Sequence, residues 1–126
     1  MTSAAPVLVA TTGPITTLTL NRPDKRNALN IELLAALTAA LTAAENDPTQ
    51  RVLLLRGAGP VFCAGLDLAE AAQPDSAHAS AELVARGLAA LSRTRLVTIA
   101  AVLKTYDQRL EQAAATLGAN RVRTLT

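Results

Sequence analysis

Aromatic side chains are almost missing from this sequence: Phe62 and Tyr106 are the whole complement, and there is no tryptophan. A row of rings on which bases could stack is therefore excluded. Cysteine is equally scarce, and Cys63 on its own excludes an internal disulfide and a cysteine-clustered metal site. A single thiol also fits a reducing compartment, with cytoplasm the default expectation. Charge of one sign is lacking too. The net formal charge is +2, and residues 1–102 hold eight basic and eight acidic side chains, against four and two in 103–126. So small and scattered an excess gives no phosphate-binding stripe, and no nucleic acid partner is expected. No run approaches the roughly 18 uninterrupted apolar residues of a spanning helix, and no basic region precedes the short apolar run at the amino terminus. Neither a membrane nor a targeting segment is expected.

What is present is aliphatic. Half of the residues are apolar and 17% are charged over 126 positions, the balance of one globular domain whose core is built from Ala, Leu and Val. Residues 7–10 and 15–20 are β-branched runs separated by Thr-Thr-Gly-Pro, which predicts a hairpin. From Ile31 to Glu45, Leu34, Leu37, Leu41 and Ala44 recur at helical spacing, with Asn27 or Asn30 as the N-cap. Pro48 stops that helix, and Val52 to Leu55 reads as a buried strand.

Further on, residues 68–72 predict a helical turn, the polar stretch from Pro74 to Ser80 an irregular segment, and residues 81–91 a helix with Val84, Leu88 and Leu91 on one face. Residues 96–102 predict a second buried strand. In the tail, Thr105 and Gln108 fit a capping box, an apolar stripe runs through Tyr106, Leu110, Ala113 and Leu117, and Gly118 fits a C-cap, which together predict a final helix. The alternation points to the α/β class.

The segment Cys-Ala-Gly-Leu-Asp-Leu at 63–68 follows a buried strand and contains a glycine, so its backbone can turn tightly and approach a ligand closely. Such a loop can aim amide N–H groups at a developing oxyanion. The plainer reading is an ordinary turn in which Asp67 caps the short helix that follows. His78 has no second ligand or orienting partner nearby and is expected to be exposed and non-catalytic. Cys63 has no histidine partner and is expected to be structural and buried.

Three segments in order carry a wider resemblance: Leu20-Asn-Arg-Pro-Asp-Lys-Arg-Asn-Ala-Leu29, Arg51-Val-Leu-Leu-Leu-Arg-Gly57 and Val61-Phe-Cys-Ala-Gly-Leu-Asp-Leu68. Together with residues 95–102 they resemble the amino-terminal part of the enoyl-CoA hydratase/isomerase (crotonase) superfamily, over about four-fifths of the chain. The resemblance implies a partial crotonase-like (ClpP/crotonase) α/β fold of strand-strand-helix units. Residues 1–102 would form the amino-terminal part of an acyl-CoA-binding domain, and 103–126 a helical tail left from the family's carboxyl-terminal helices.

By the same resemblance the Leu66 amide is an oxyanion donor for the carbonyl of an acyl-CoA thioester, with Asp67 and Leu68 shaping the pocket. Lys25, Arg26 and Ala28 before the first helix, and residues around Ala64 and Gly65, meet the coenzyme A part. No tightly bound cofactor is implied, coenzyme A being part of the substrate; the expected assembly is a homo-oligomer, of trimer type in the family. After Val102 the family's glycine-rich segment with the second oxyanion donor is replaced by Leu-Lys-Thr-Tyr, and no Pro-Glu segment with acid/base residues follows. The expectation is a chain truncated or internally deleted relative to the domain, binding acyl-CoA with doubtful turnover. The alternative from another class is a non-catalytic self-association or interaction fragment. Thermal protection by a CoA thioester would favour the former, and concentration-dependent mass the latter.

Overall fold

A computed structural model of the chain describes residues 5–101. Four strands and three helices follow in the order β1 (Val7–Thr12), β2 (Ile15–Leu20), α1 (Ile31–Asn46), β3 (Val52–Gly57), α2 (Leu68–Ala71), α3 (Pro74–Arg93) and β4 (Val97–Ala101). They build one sheet of order β1-β2-β3-β4, antiparallel between β1 and β2 and parallel thereafter. Each parallel step needs a crossover, and α1 and α3 supply them.

The hairpin closes with Thr12 opposite Ile15, so Gly13 and Pro14 form a two-residue turn, with Gly13 at φ +56°. That left-handed backbone suits glycine at a tight hairpin. Gln50 ties the turn to the start of β3: its side-chain amide donates to the Gly13 carbonyl at 2.9 Å, and its oxygen accepts from the buried Thr16 hydroxyl.

The sheet is apolar on both faces. On one, Leu18, Leu20 and Leu53 pack against Leu33, Leu41 and Ala44 of α1, all buried; on the other, Ile15, Val52 and Leu54 are buried beside Val97 and Ile99. Each such leucine contributes about 1.5–3 kcal/mol by leaving water. Leu8 and Val9 stay exposed on the edge strand β1.

Asn30, and not Asn27, caps α1, its side chain accepting from the Leu33 N–H at 2.9 Å. At the other end of that helix, the Arg95 guanidinium donates to the carbonyls of Glu45, Asp47 and Gln50 and anchors β4 to the α1–β3 corner.

The third helix departs from the expectation. It begins at Pro74 and continues to Arg93, so the polar stretch to Ser80 is helical and not irregular. Proline is well suited to the first helical turn, where an N–H has no intrahelical partner, and Asp75 adds a favourable charge there. The packed face also differs. Of the predicted face, Val84 and Leu91 are half-buried but Leu88 is 63% exposed, while Ser80 is buried and Ala90 packs with Leu91 against the core that α1 shares. Val102 and the expected tail helix lie outside the described residues.

Candidate functional site

Because β2 and β3 run parallel and Leu20 lies opposite Gly57, the chain leaves both strands at the same edge of the sheet. Two loops therefore start side by side, residues 21–30 leading to α1 and 58–67 leading to α2. Carboxyl ends of parallel strands are the usual ligand edge of α/β sheets.

The loops are zipped together by the backbone. Ala58 N–H donates to the Leu20 carbonyl at 2.8 Å, Ala64 N–H to Arg26 at 3.0 Å, Leu29 N–H to Gly65 at 2.7 Å, and Asp67 N–H to Leu29 at 3.0 Å. The last two make a single parallel β-bridge between Leu29 and Leu66. A trans peptide points its C=O and N–H in opposite directions. With Gly65 C=O turned to Leu29, the Leu66 N–H faces away, and no acceptor among the described residues takes it. Gly65 makes this turn at φ +101°, a backbone closed to side-chain-bearing residues without strain.

Side chains lock the same junction. Asn27 is fully buried at φ +57°; its oxygen accepts from Arg22 N–H at 2.8 Å, and its amide donates to the carbonyls of Ala58 (2.9 Å) and Val61 (2.7 Å). The Arg22 guanidinium donates to the Ala28 carbonyl at 2.5 Å and pairs with Asp67 at 3.3 Å. Glu70 reaches from α2 to accept the Ile31 N–H at 2.6 Å, satisfying an orphan donor at the start of α1. Cys63 is half-buried, and its sulfur accepts from Gly65 N–H at 3.4 Å.

Residues 10–103 match the enoyl-CoA hydratase/isomerase family. The chain belongs to that family.

Among the family relatives, a probable enoyl-CoA hydratase of Mycobacterium tuberculosis, EchA14, is 40% identical over 99 residues, 77% of this chain and 39% of the relative. A 1,2-epoxyphenylacetyl-CoA isomerase of Escherichia coli is 54% identical over 54 residues, 43% of this chain and 21% of the other. In structure, an enoyl-CoA hydratase/carnithine racemase from Magnetospirillum magneticum superposes with a TM-score of 0.72 at 32% identity, over 80% of this chain and 40% of that one. A Pseudomonas aeruginosa protein gives 0.73 at 39% identity, over 81% and 46%. The chain thus spans about two fifths of the length of EchA14 and of the Magnetospirillum protein, and the crotonase-like α/β fold is that of its structural neighbours.

The sequence-derived site residues of this hydratase/isomerase-family chain fall into two groups. Ala28, Ala64, Gly65, Leu66 and Asp67 are brought together by the bridge, with Leu68 next to them and 80% exposed. Lys25 and Arg26 stand exposed on the turn beside it, Lys25 ending a short 3-10 helix and Arg26 in left-handed backbone at φ +55°. His78 is exposed on α3, and among the described residues no cluster of His, Cys, Asp or Glu could hold a metal ion. No described helix is long and apolar enough to cross a membrane. A groove of about 670 Å³ between α1 and α3, floored by Leu41, Leu53 and Leu96, contains none of the loop residues.

Asp67 does cap α2, as its plainer reading has it, accepting from the Glu70 N–H at 3.2 Å. That bond, opposed by desolvation and helped by Arg22, holds its carboxyl below the ordinary 3.8. A depressed carboxyl stabilises the fold above about pH 4, and the contribution is lost as pH falls through the folded value. Asp67→Asn keeps the cap and removes the charge. Its urea midpoint should lie below the parent's at pH 6 and converge with it toward pH 3; a gap constant across that range contradicts the linkage. So engaged an ionised carboxylate is a poor general base.

Sequence reasoning missed the work of Arg22, Asn27 and Glu70. Asn27 and Arg22 stood in the first segment, but nothing in their spacing says that their partners lie on the 58–67 loop. The one available signal was a short polar side chain in a run otherwise read as loop, a residue type that tolerates left-handed backbone.

Proposed function

We propose that the two zipped loops bind an acyl-CoA thioester and that the Leu66 N–H polarises its carbonyl as one donor of an oxyanion hole. The observation that carries this reading is the Leu66 amide itself: fixed in direction by the Leu29 bridge, and without an acceptor among the described residues. A preorganised donor of this kind is worth about 3–4 kcal/mol when negative charge develops on the oxygen. Lys25 and Arg26, exposed beside the bridge, meet coenzyme A phosphate oxygens, while Ala28, Ala64 and Gly65 offer backbone and little bulk to the pantetheine. Leu66 and Leu68, both exposed, line the acyl side together with Asp67.

Among the residues placed at the bridge, none is a free acid or base, since Asp67 and Glu70 are both engaged. Binding and carbonyl polarisation are therefore the chemistry assigned to this part of the family's domain, with hydration or isomerisation belonging to a site completed by further groups. The same reading places residues 1–102 in the acyl-CoA-binding part and 103–126 in a helical tail, and assembles the chain as a cytoplasmic homo-oligomer. Titrating ¹⁵N-labelled chain with acetyl-CoA should move the Leu66 amide proton downfield, and free coenzyme A should not.

A further inference from the structure

The Leu66 N–H is held at the end of a relay that begins on a charged group. The Ala28 carbonyl and the Leu29 N–H are two ends of one peptide plane, and the Gly65 carbonyl and the Leu66 N–H are two ends of another. Arg22 donates to the first plane at Ala28 O (2.5 Å), and that plane donates to the second through Leu29 N–H and Gly65 O (2.7 Å). The guanidinium is only partly exposed, its side chain at 18%, and its second contact, to Asp67, lies one residue beyond Leu66. One planar fork thus braces both strands of the bridge, on either side of the donor.

We propose that Arg22 is a positioning residue for the oxyanion donor, setting the direction and the strength of the Leu66 N–H through these two peptide planes. Direction follows from geometry, because tilting the 28–29 peptide tilts its N–H, and with it the 65–66 peptide that hangs from it. Strength follows from polarisation. A cationic donor on Ala28 O makes Leu29 N–H a better donor, and that bond in turn makes Leu66 N–H a better one, each step strengthening the next by some 10–30%. Lysine cannot replace the fork, since a single ammonium on a flexible stem does not hold two oxygens in a fixed plane. The proposal rests on the reading that Leu66 N–H meets a thioester carbonyl.

The test is isotope-edited infrared spectroscopy of acetyl-CoA labelled with ¹³C at its thioester carbonyl, bound to the full chain, together with the Leu66 amide proton shift of the ligand-free chain. In the parent chain the bound carbonyl stretch should fall in frequency. In Arg22→Met that fall should shrink by roughly a fifth to two fifths, and the ligand-free Leu29 and Leu66 amide protons should move upfield together. Arg22→Lys, which keeps the charge, should fall short of the parent as well, and it decides the matter where the methionine variant does not fold. A carbonyl shift of parental size in either folded variant, with the Leu66 proton unmoved, overturns the relay. An unshifted carbonyl in the parent chain overturns the oxyanion reading itself, and the relay with it; a shifted parent with a smaller carbonyl shift in the folded variants supports both.

Discussion

Replacing Gly65 with alanine is expected to weaken acetyl-CoA binding about tenfold or more while leaving the chain folded. The two effects separate because of where Gly65 stands. Its φ of +101° lies in a region that residues with a Cβ reach only under strain, yet a Cβ built there has no neighbour within 4 Å. Nothing blocks the methyl group, so the penalty is conformational, about 1–3 kcal/mol, and the loop can relieve it by turning the 65–66 peptide. That peptide carries the carbonyl that accepts from Leu29 and the N–H of Leu66. Relief of strain therefore costs the donor its direction. Calorimetric titration with acetyl-CoA, and a melting curve of the ligand-free variant, should show a large loss in the first and a small one in the second. Unchanged affinity contradicts the role given to this turn.

Gly57→Ala is expected to do the reverse and damage the fold, by about 3–4 kcal/mol. At the end of β3 a Cβ would sit 2.4 Å from the Phe62 carbonyl oxygen and 2.8 Å from both the Phe62 Cα and the Asn27 amide nitrogen. Two of these are backbone atoms, which cannot swing aside. The third belongs to the buried asparagine that holds the Ala58 and Val61 carbonyls. Moving it leaves buried polar groups without partners, and the two loops lose their common pin. Against a total stability of about 5–15 kcal/mol, that is a large fraction. Urea denaturation checks it, and a variant within about 1 kcal/mol of the parent contradicts the packing described at this corner. The two glycines thus divide the labour: Gly57 permits a close approach on which the fold depends, and Gly65 permits a turn on which the site depends.

Much of the fold was legible in the sequence because its signals are local. The hairpin, α1, β3 and the strand at 97–101 follow from β-branched runs, helical spacing and a stop at Pro48, and the three ordered segments pointed to the family. The start of α3 was not legible for a physical reason. A proline followed by polar residues looks the same at the head of a helix as in a loop, and the difference is made by packing of Ser80 and Leu91. Leu88 misled in the opposite sense, since an apolar residue at the right spacing can still face water while Ala90 and Leu91 of the same helix pack against the core.

At the site, the Cys63 to Leu68 segment was recognisable, and its glycine gave the reason. The partners that hold it were not, because Arg22 to Asp67 is a contact across 45 residues and Asn27 to Val61 one across 34. Side-chain to carbonyl contacts of that range leave no periodic trace in a sequence. The exposed Lys25 and Arg26 are a different case: their position on the loop was legible, and their exposure is what a phosphate contact and an ordinary surface share.

The most direct test of the oxyanion reading is the amide resonance of Leu66 itself. In ¹H–¹⁵N spectra of the full chain titrated with acetyl-CoA, the account predicts a saturable downfield shift of the Leu66 proton, absent with free coenzyme A. Saturable binding that moves the resonances of Lys25 and Arg26 but leaves Leu66 in place would contradict it.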